Sequence, residues 1–118
     1  MLAACQSKTY TITGEVEGLE NGDTLFITDD LQAGIPTDTL IVEDGKFNFN
    51  GIADSTYIAM VYSQKRNEIN APFFVEPGNI TIELNPYPVQ SRVSGTVLNN
   101  EWQKLNDEVQ TLDRKSVV

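Results

Sequence analysis

The stretch that most constrains the fold is Pro36 to Gly51, reading PTDTLIVEDGKFNFNG. Asp44-Gly45 sits between two alternating apolar runs. An Asp-Gly pair in that setting marks a two-residue hairpin turn, because both central residues need positive φ. A turn there sets Glu43 opposite Lys46, Val42 opposite Phe47, Ile41 opposite Asn48 and Leu40 opposite Phe49. Opposed residues share a face. One face is then Leu40, Val42, Phe47 and Phe49. The other is Thr39, Ile41, Glu43, Lys46, Asn48 and Asn50, polar except for Ile41. A slip by one residue would mix the two faces, so the register is well specified.

The flanking sequence repeats this period of two. Tyr10, Ile12, Gly14 and Val16 alternate with Thr11, Thr13, Glu15 and Glu17, as in a half-buried strand. Gly18 to Gly22 reads as a turn. Leu25 and Ile27 then mark a second strand between Asp23 and Asp30, opposed to Thr24, Phe26 and Thr28. Thr56 to Ser63 is apolar on both faces and predicts a central strand. Ser63 to Asn70 reads as a charged hairpin loop, and Phe73 to Glu76 as a short strand. Glu76-Pro77-Gly78-Asn79 fits a type II turn. Ile80, Ile82 and Leu84 alternate after it, and Gln90 to Val97 predicts a last strand with Val89, Val93 and Val97 as its apolar residues.

The period then becomes helical, over about Asn100 to Lys115. Asn100 is placed as the N-cap, with Gln103 three residues on, as in a capping box. Trp102, Leu105, Val109 and Leu112 form one narrow stripe, expected to be the packing face. The fold class is therefore all-β: an antiparallel β-sandwich of about eight strands with one C-terminal α-helix. The predicted organisation is a tether at 1–8, a sandwich at 9–98 and a linker helix at 99–118.

Composition narrows function mainly by exclusion. At 118 residues and 13.1 kDa the chain is most simply one domain. Its net charge is −9 and its pI near 4.2. A nucleic-acid footprint needs clustered Lys and Arg. Lys65-Arg66 is no more than a local pair with Glu68 beside it, so nucleic acid is not expected as a partner. There is no His, which excludes Ser-His-Asp, Cys-His and HExxH chemistry. One Cys allows neither an internal disulfide nor a CxxC pair. No apolar run approaches the roughly 20 residues of a membrane span.

Other candidate chemistries have plainer explanations. Asp29, Asp30, Asp38, Glu43 and Asp44 lack the spacing of a calcium loop and read as solvated carboxylates. With 17 acidic residues scattered along the chain, no glycosidase pair stands out. Tyr10, Tyr57, Tyr62, Tyr87 and Trp102 could make a sugar platform, although Tyr57 and Tyr62 read as core. Ser91 and Ser94 have no base to activate them. No catalytic, cofactor or metal residue is expected. The sequence leads to no cofactor and to no enzymatic role for this chain.

Leu2-Ala3-Ala4-Cys5 resembles the lipobox of bacterial lipoproteins, in which the cysteine thiol receives the diacylglyceryl group. The basic and apolar regions of a signal peptide are missing, and an incidental cysteine is the alternative. Polar Gln6-Ser7-Lys8 follows as a tether. A wider resemblance runs from Tyr10 to Val109, through YTITGEVEGLENGDTLFI, PTDTLIVEDGKFNFNG, FFVEPGNITIEL and RVSGTVLNNEWQKLNDEV. These segments resemble the N-terminal β-sandwich domain, of unknown function, in bacterial envelope lipoproteins related to thioredoxin-like thiol–disulfide oxidoreductases and thiol peroxidases. The resemblance implies a periplasm-facing module anchored through lipid on Cys5. Such a module would space, dimerise or present substrate to a C-terminal thioredoxin-like domain absent from this chain. It transfers no catalytic residue. The alternative is a free-standing lipoprotein module that binds a glycan or peptide.

Overall fold

A computed structural model describes residues 8–29, 35–66, 68–86 and 89–116, with side chains through 109. Eight strands precede one helix: β1 (Thr9–Val16), β2 (Thr24–Thr28), β3 (Asp38–Ile41), β4 (Lys46–Ile52), β5 (Tyr57–Tyr62), β6 (Asn70–Val75), β7 (Gly78–Leu84), β8 (Arg92–Ser94) and α1 (Val97–Ser116). They form two four-stranded sheets, ordered β4-β1-β7-β8 and β3-β2-β5-β6. The predicted alternation sets the inner faces. Tyr10, Ile12 and Val16 are buried from β1, Leu25 and Ile27 from β2, and Ile80, Ile82 and Leu84 from β7. The predicted sandwich with a C-terminal helix is therefore present. One pairing departs from a purely antiparallel scheme: β1 and β7 run parallel, Ile12 beside Ile80.

The central turn forms as expected. Asp44 and Gly45 take φ of 54° and 72°, and Glu43 and Lys46 exchange both backbone hydrogen bonds at 2.9 Å. Beyond that one bridge the arms do not pair. β3 pairs with β2, with Leu40 beside Leu25, and β4 pairs with β1, with Phe49 beside Ile12. The expected pairs from Val42–Phe47 outward are thus replaced by a corner between sheets. Leu40, Val42 and Phe47 all reach the shared core from opposite layers, which a flat ribbon would not allow. Phe49 is half-buried against that core.

Three further boundaries differ from expectation. β6 begins at Asn70, and Ile69, within the expected charged loop, is wholly buried. The last strand shrinks to Arg92–Ser94, leaving Val89 59% and Val97 68% exposed. The helix starts at Val97, because Thr96, not Asn100, is its cap: the Asn100 N–H already donates to Thr96 O at 2.8 Å. Gly95, at φ 107°, ends the strand and lets the chain turn into the helix. Tyr62 is not core. It lies on the outer face of its sheet beside Phe26, with ring centroids 5.7 Å apart.

Candidate functional site

A sandwich has two open sides, where the outermost strands of its sheets lie side by side. Here β6 and β8 lie on one side, and β3 and β4 on the other. An edge strand presents unpaired N–H and C=O groups that pair with another chain unless something covers them. The two sides are treated very differently.

The first side is covered over much of its length. Ser63 N–H donates to Ile69 O at 3.0 Å, which sets the phase of the β5–β6 ladder. Asn70, Pro72 and Phe74 then turn their backbone groups outward. Pro72 has no N–H to offer. Phe74 is satisfied by the helix: its N–H donates to Asn99 Oδ1 at 2.8 Å, and its carbonyl accepts from Asn99 Nδ2 at 2.9 Å. A second amide serves β8, where Gln103 Oε1 accepts the Val93 N–H at 2.9 Å. Asn99 is fully buried and also donates to Thr96 Oγ1 at 2.7 Å. The N-terminus of the helix is held as well. Its Leu98 N–H donates to the Glu76 carboxylate at 2.7 Å, which brings negative charge to the positive end of the dipole. Arg92 and Asp107 add an exposed pair at 3.1 Å. That pair and the Gln103 amide hold the Asp107 carboxyl below its usual range.

This anchoring rotates the helix away from its expected packing face. Its buried side is polar, Asn99 and Gln103. Of the predicted stripe, Trp102 is half-buried edge-on to Phe74 at 6.3 Å, while Leu105 is 53% and Val109 44% exposed. Leu112 lies outside the described side chains. Between helix and sheet is a recess of about 490 Å³, with Phe74, Leu98, Trp102 and Leu105 as walls and Glu101, Lys104 and Glu108 around it.

The second side is open. Because the β3–β4 corner splays, a cleft of about 700 Å³ lies between the two strands, lined by Thr39 to Ile41 and Lys46 to Asn50. Val16 N–H donates to Gly45 O at 2.8 Å and Ala53 N–H to Lys8 O at 2.7 Å. Both bonds fix the phase of the β1–β4 ladder, so Asn48, Asn50 and Ile52 direct their backbone groups outward. On β3 the Val42 N–H donates to Asp23 O at 2.9 Å, so Thr39 and Ile41 do the same. Among the described residues no backbone group pairs with these positions.

Of the candidates named from the sequence, the fold brings Tyr10, Tyr57, Asp29 and Asp38 near one another and separates most of the others. Cys5, Asp30 and Tyr87 lie outside the described residues. Among the described residues no three His, Cys, Asp or Glu side chains come together as a metal site. Lys65 pairs with Asp23 at 3.1 Å and Arg66 with Glu68 at 2.5 Å, so the basic pair is neutralised locally. Ser91 Oγ accepts the Asn85 N–H at 3.0 Å and braces a loop. Tyr10 is buried, its hydroxyl pushed up to about 12 by burial first and then by Tyr57, Asp38 and Asp29. No described helix is long and apolar enough to cross a membrane. Asn99 escaped the sequence reading, and Gln103, expected as the capping-box partner of Asn100, instead caps the edge of β8. Their visible signal was two amides four residues apart on a helix that comes directly after a strand.

Two four-stranded sheets with an amide-anchored helix along one side define a β-sandwich module. Residues 10–102 match the family model described as a domain of unknown function, DUF4369, and the chain belongs to that family. No curated protein and no solved structure matches it.

Proposed function

We propose that this chain is the non-catalytic N-terminal module of a membrane-anchored, periplasm-facing lipoprotein of the thiol–disulfide oxidoreductase type, and that it holds a following thioredoxin-like domain at a set distance from lipid on Cys5. The observation that carries this reading is the helix. It is bolted to both sheets through Asn99 and Gln103, yet leaves Leu105 and Val109 exposed beyond the bolts. A helix held that firmly at one end and apolar further on is suited to setting the orientation of a neighbour. Trp102 to Val109 spans roughly 10 Å at 1.5 Å per residue, and its exposed Leu105 and Val109 offer a contact surface to a neighbour. Leu2-Ala3-Ala4-Cys5 supports the lipid end of the arrangement.

Two measurements test it. Mass spectrometry of the host membrane fraction should find Cys5 acylated, whereas a soluble product with a free Cys5 thiol removes the anchor. Hydrogen exchange on the complete product of the reading frame should show Leu105 to Val109 more protected than in this chain alone. Equal exchange in the two removes the positioning role. The chain by itself should not reduce insulin above a Cys5→Ser control, since one cysteine cannot cycle through an intramolecular disulfide.

A further inference from the structure

We infer that the open edge of β4 is the surface through which two copies of this chain associate, antiparallel and centred on Asn50. The inference uses the side of the sandwich opposite the helix, so it is independent of any domain beyond the helix.

The two sides of the sandwich contrast. On β6 and β8 Pro72 offers no N–H, and amide side chains cap both backbone groups of Phe74 and the N–H of Val93. On β4 the outward groups of Asn48, Asn50 and Ile52 have neither device, and Ile52 is 61% exposed. A long, uncovered, proline-free edge is a template for another strand.

The strand that fits this edge is β4 of a second copy. A two-fold pairing centred on Asn50 uses all three outward positions of both copies: Asn50 meets its own equivalent, and Asn48 meets Ile52 of the second copy. An isologous interface needs this self-complementarity. On the inner face the same register sets Phe49 against Gly51 of the second copy. β4 already uses that match on its paired edge, where Phe47 lies beside Gly14 and Gly51 beside Tyr10, and where a side chain on either glycine would collide with the ring. The new ladder stops after Asn48, because Glu43 already occupies the edge of Lys46. The second copy's chain must turn aside there, so exposed Lys46, which already has Glu43 beside it, faces the stretch after β4 that carries exposed Asp54 of the other copy, twice by symmetry. A strand lacking this spacing of Lys, Phe, Gly and Asp would find the hydrogen bonds but neither the aromatic match nor the charge match.

Sedimentation velocity over a concentration series tests the proposal on the purified chain. The expected result is reversible dimerisation. Asn50→Pro should abolish it, since the Asn50 N–H faces outward and the β1–β4 ladder does not use it; circular dichroism confirms the fold. Should that variant not fold, charge reversal decides. Lys46→Glu should weaken the dimer about five-fold, as two exposed pairs are lost, and Lys46→Glu with Asp54→Lys should restore it. A chain that stays monomeric at every concentration overturns the inference. So does a dimer indifferent to Asn50→Pro and to charge reversal. Protection of Asn48 to Ile52 in a monomer, appearing only with an unrelated extended peptide, would make the edge a peptide site instead.

Discussion

At the scale of single residues, two kinds of position hold the sandwich together without contributing apolar bulk. Gly45 supplies the second positive φ of the corner turn, and Gly14 leaves room for the Phe47 ring lying across it. Gly45→Val should cost about 1–3 kcal/mol, because a β-branched residue is forced into the left-handed region. Gly14→Ala should cost about 1–3 kcal/mol for a different reason, overpacking against Phe47. The two mechanisms separate in denaturation experiments. Adding Phe47→Leu should recover part of the loss at Gly14 and none at Gly45. Tyr10 predicts an alkaline limit. Its folded pKa, about 12, lies above the unfolded value near 10, so the folded state favours the neutral phenol. That stability is complete below about pH 10 and is lost as pH rises through the folded value near 12. Denaturation midpoints at pH 8 and pH 11 should therefore diverge less for Tyr10→Phe than for the parent.

At the scale of elements, the helix shows why an apolar stripe is an unreliable guide to packing against a sheet edge. A helix lying on a sheet face buries hydrocarbon. A helix lying along an edge meets unpaired N–H and C=O groups, and burying those against Leu or Val would leave them unsatisfied. Asn99 and Gln103 solve this by acting as surrogate strand residues, and the apolar stripe is turned outward as a consequence. Their loss should accordingly cost more than that of the stripe. Asn99→Ala strands both backbone groups of Phe74 and should destabilise by about 2–6 kcal/mol, at roughly 1–3 kcal/mol for each buried group left unpaired. Leu105→Ala, at an exposed position, should fall within about 0.5 kcal/mol of the parent. Urea denaturation of the two variants checks the ordering. A larger loss at Leu105 would mean the helix packs by its stripe after all.

At the scale of the whole molecule, closure on one side and openness on the other is the organising asymmetry. Strand period, turn chemistry and inner faces were legible in the chain because each depends on neighbours in sequence. Side chains in a strand alternate with period two wherever one face is buried, and Asp44-Gly45 carries its own φ requirement. So the strand pattern, the corner turn and residues such as Ile12, Leu25 and Ile80 could be read directly. Strand pairing could not. Local sequence says that Leu40 and Phe47 share a face, but not that their strands enter different sheets, since that depends on β1 and β2 each having one edge still open after pairing with β7 and β5. The parallel β1–β7 pair has no local signal either, because its members lie 68 residues apart at Ile12 and Ile80. The candidate surfaces belong to this second class. Whether a backbone group is unpaired is a property of the completed sheet. Only the tertiary structure could show that Asn99 caps an edge while Asn48 and Asn50 leave one open.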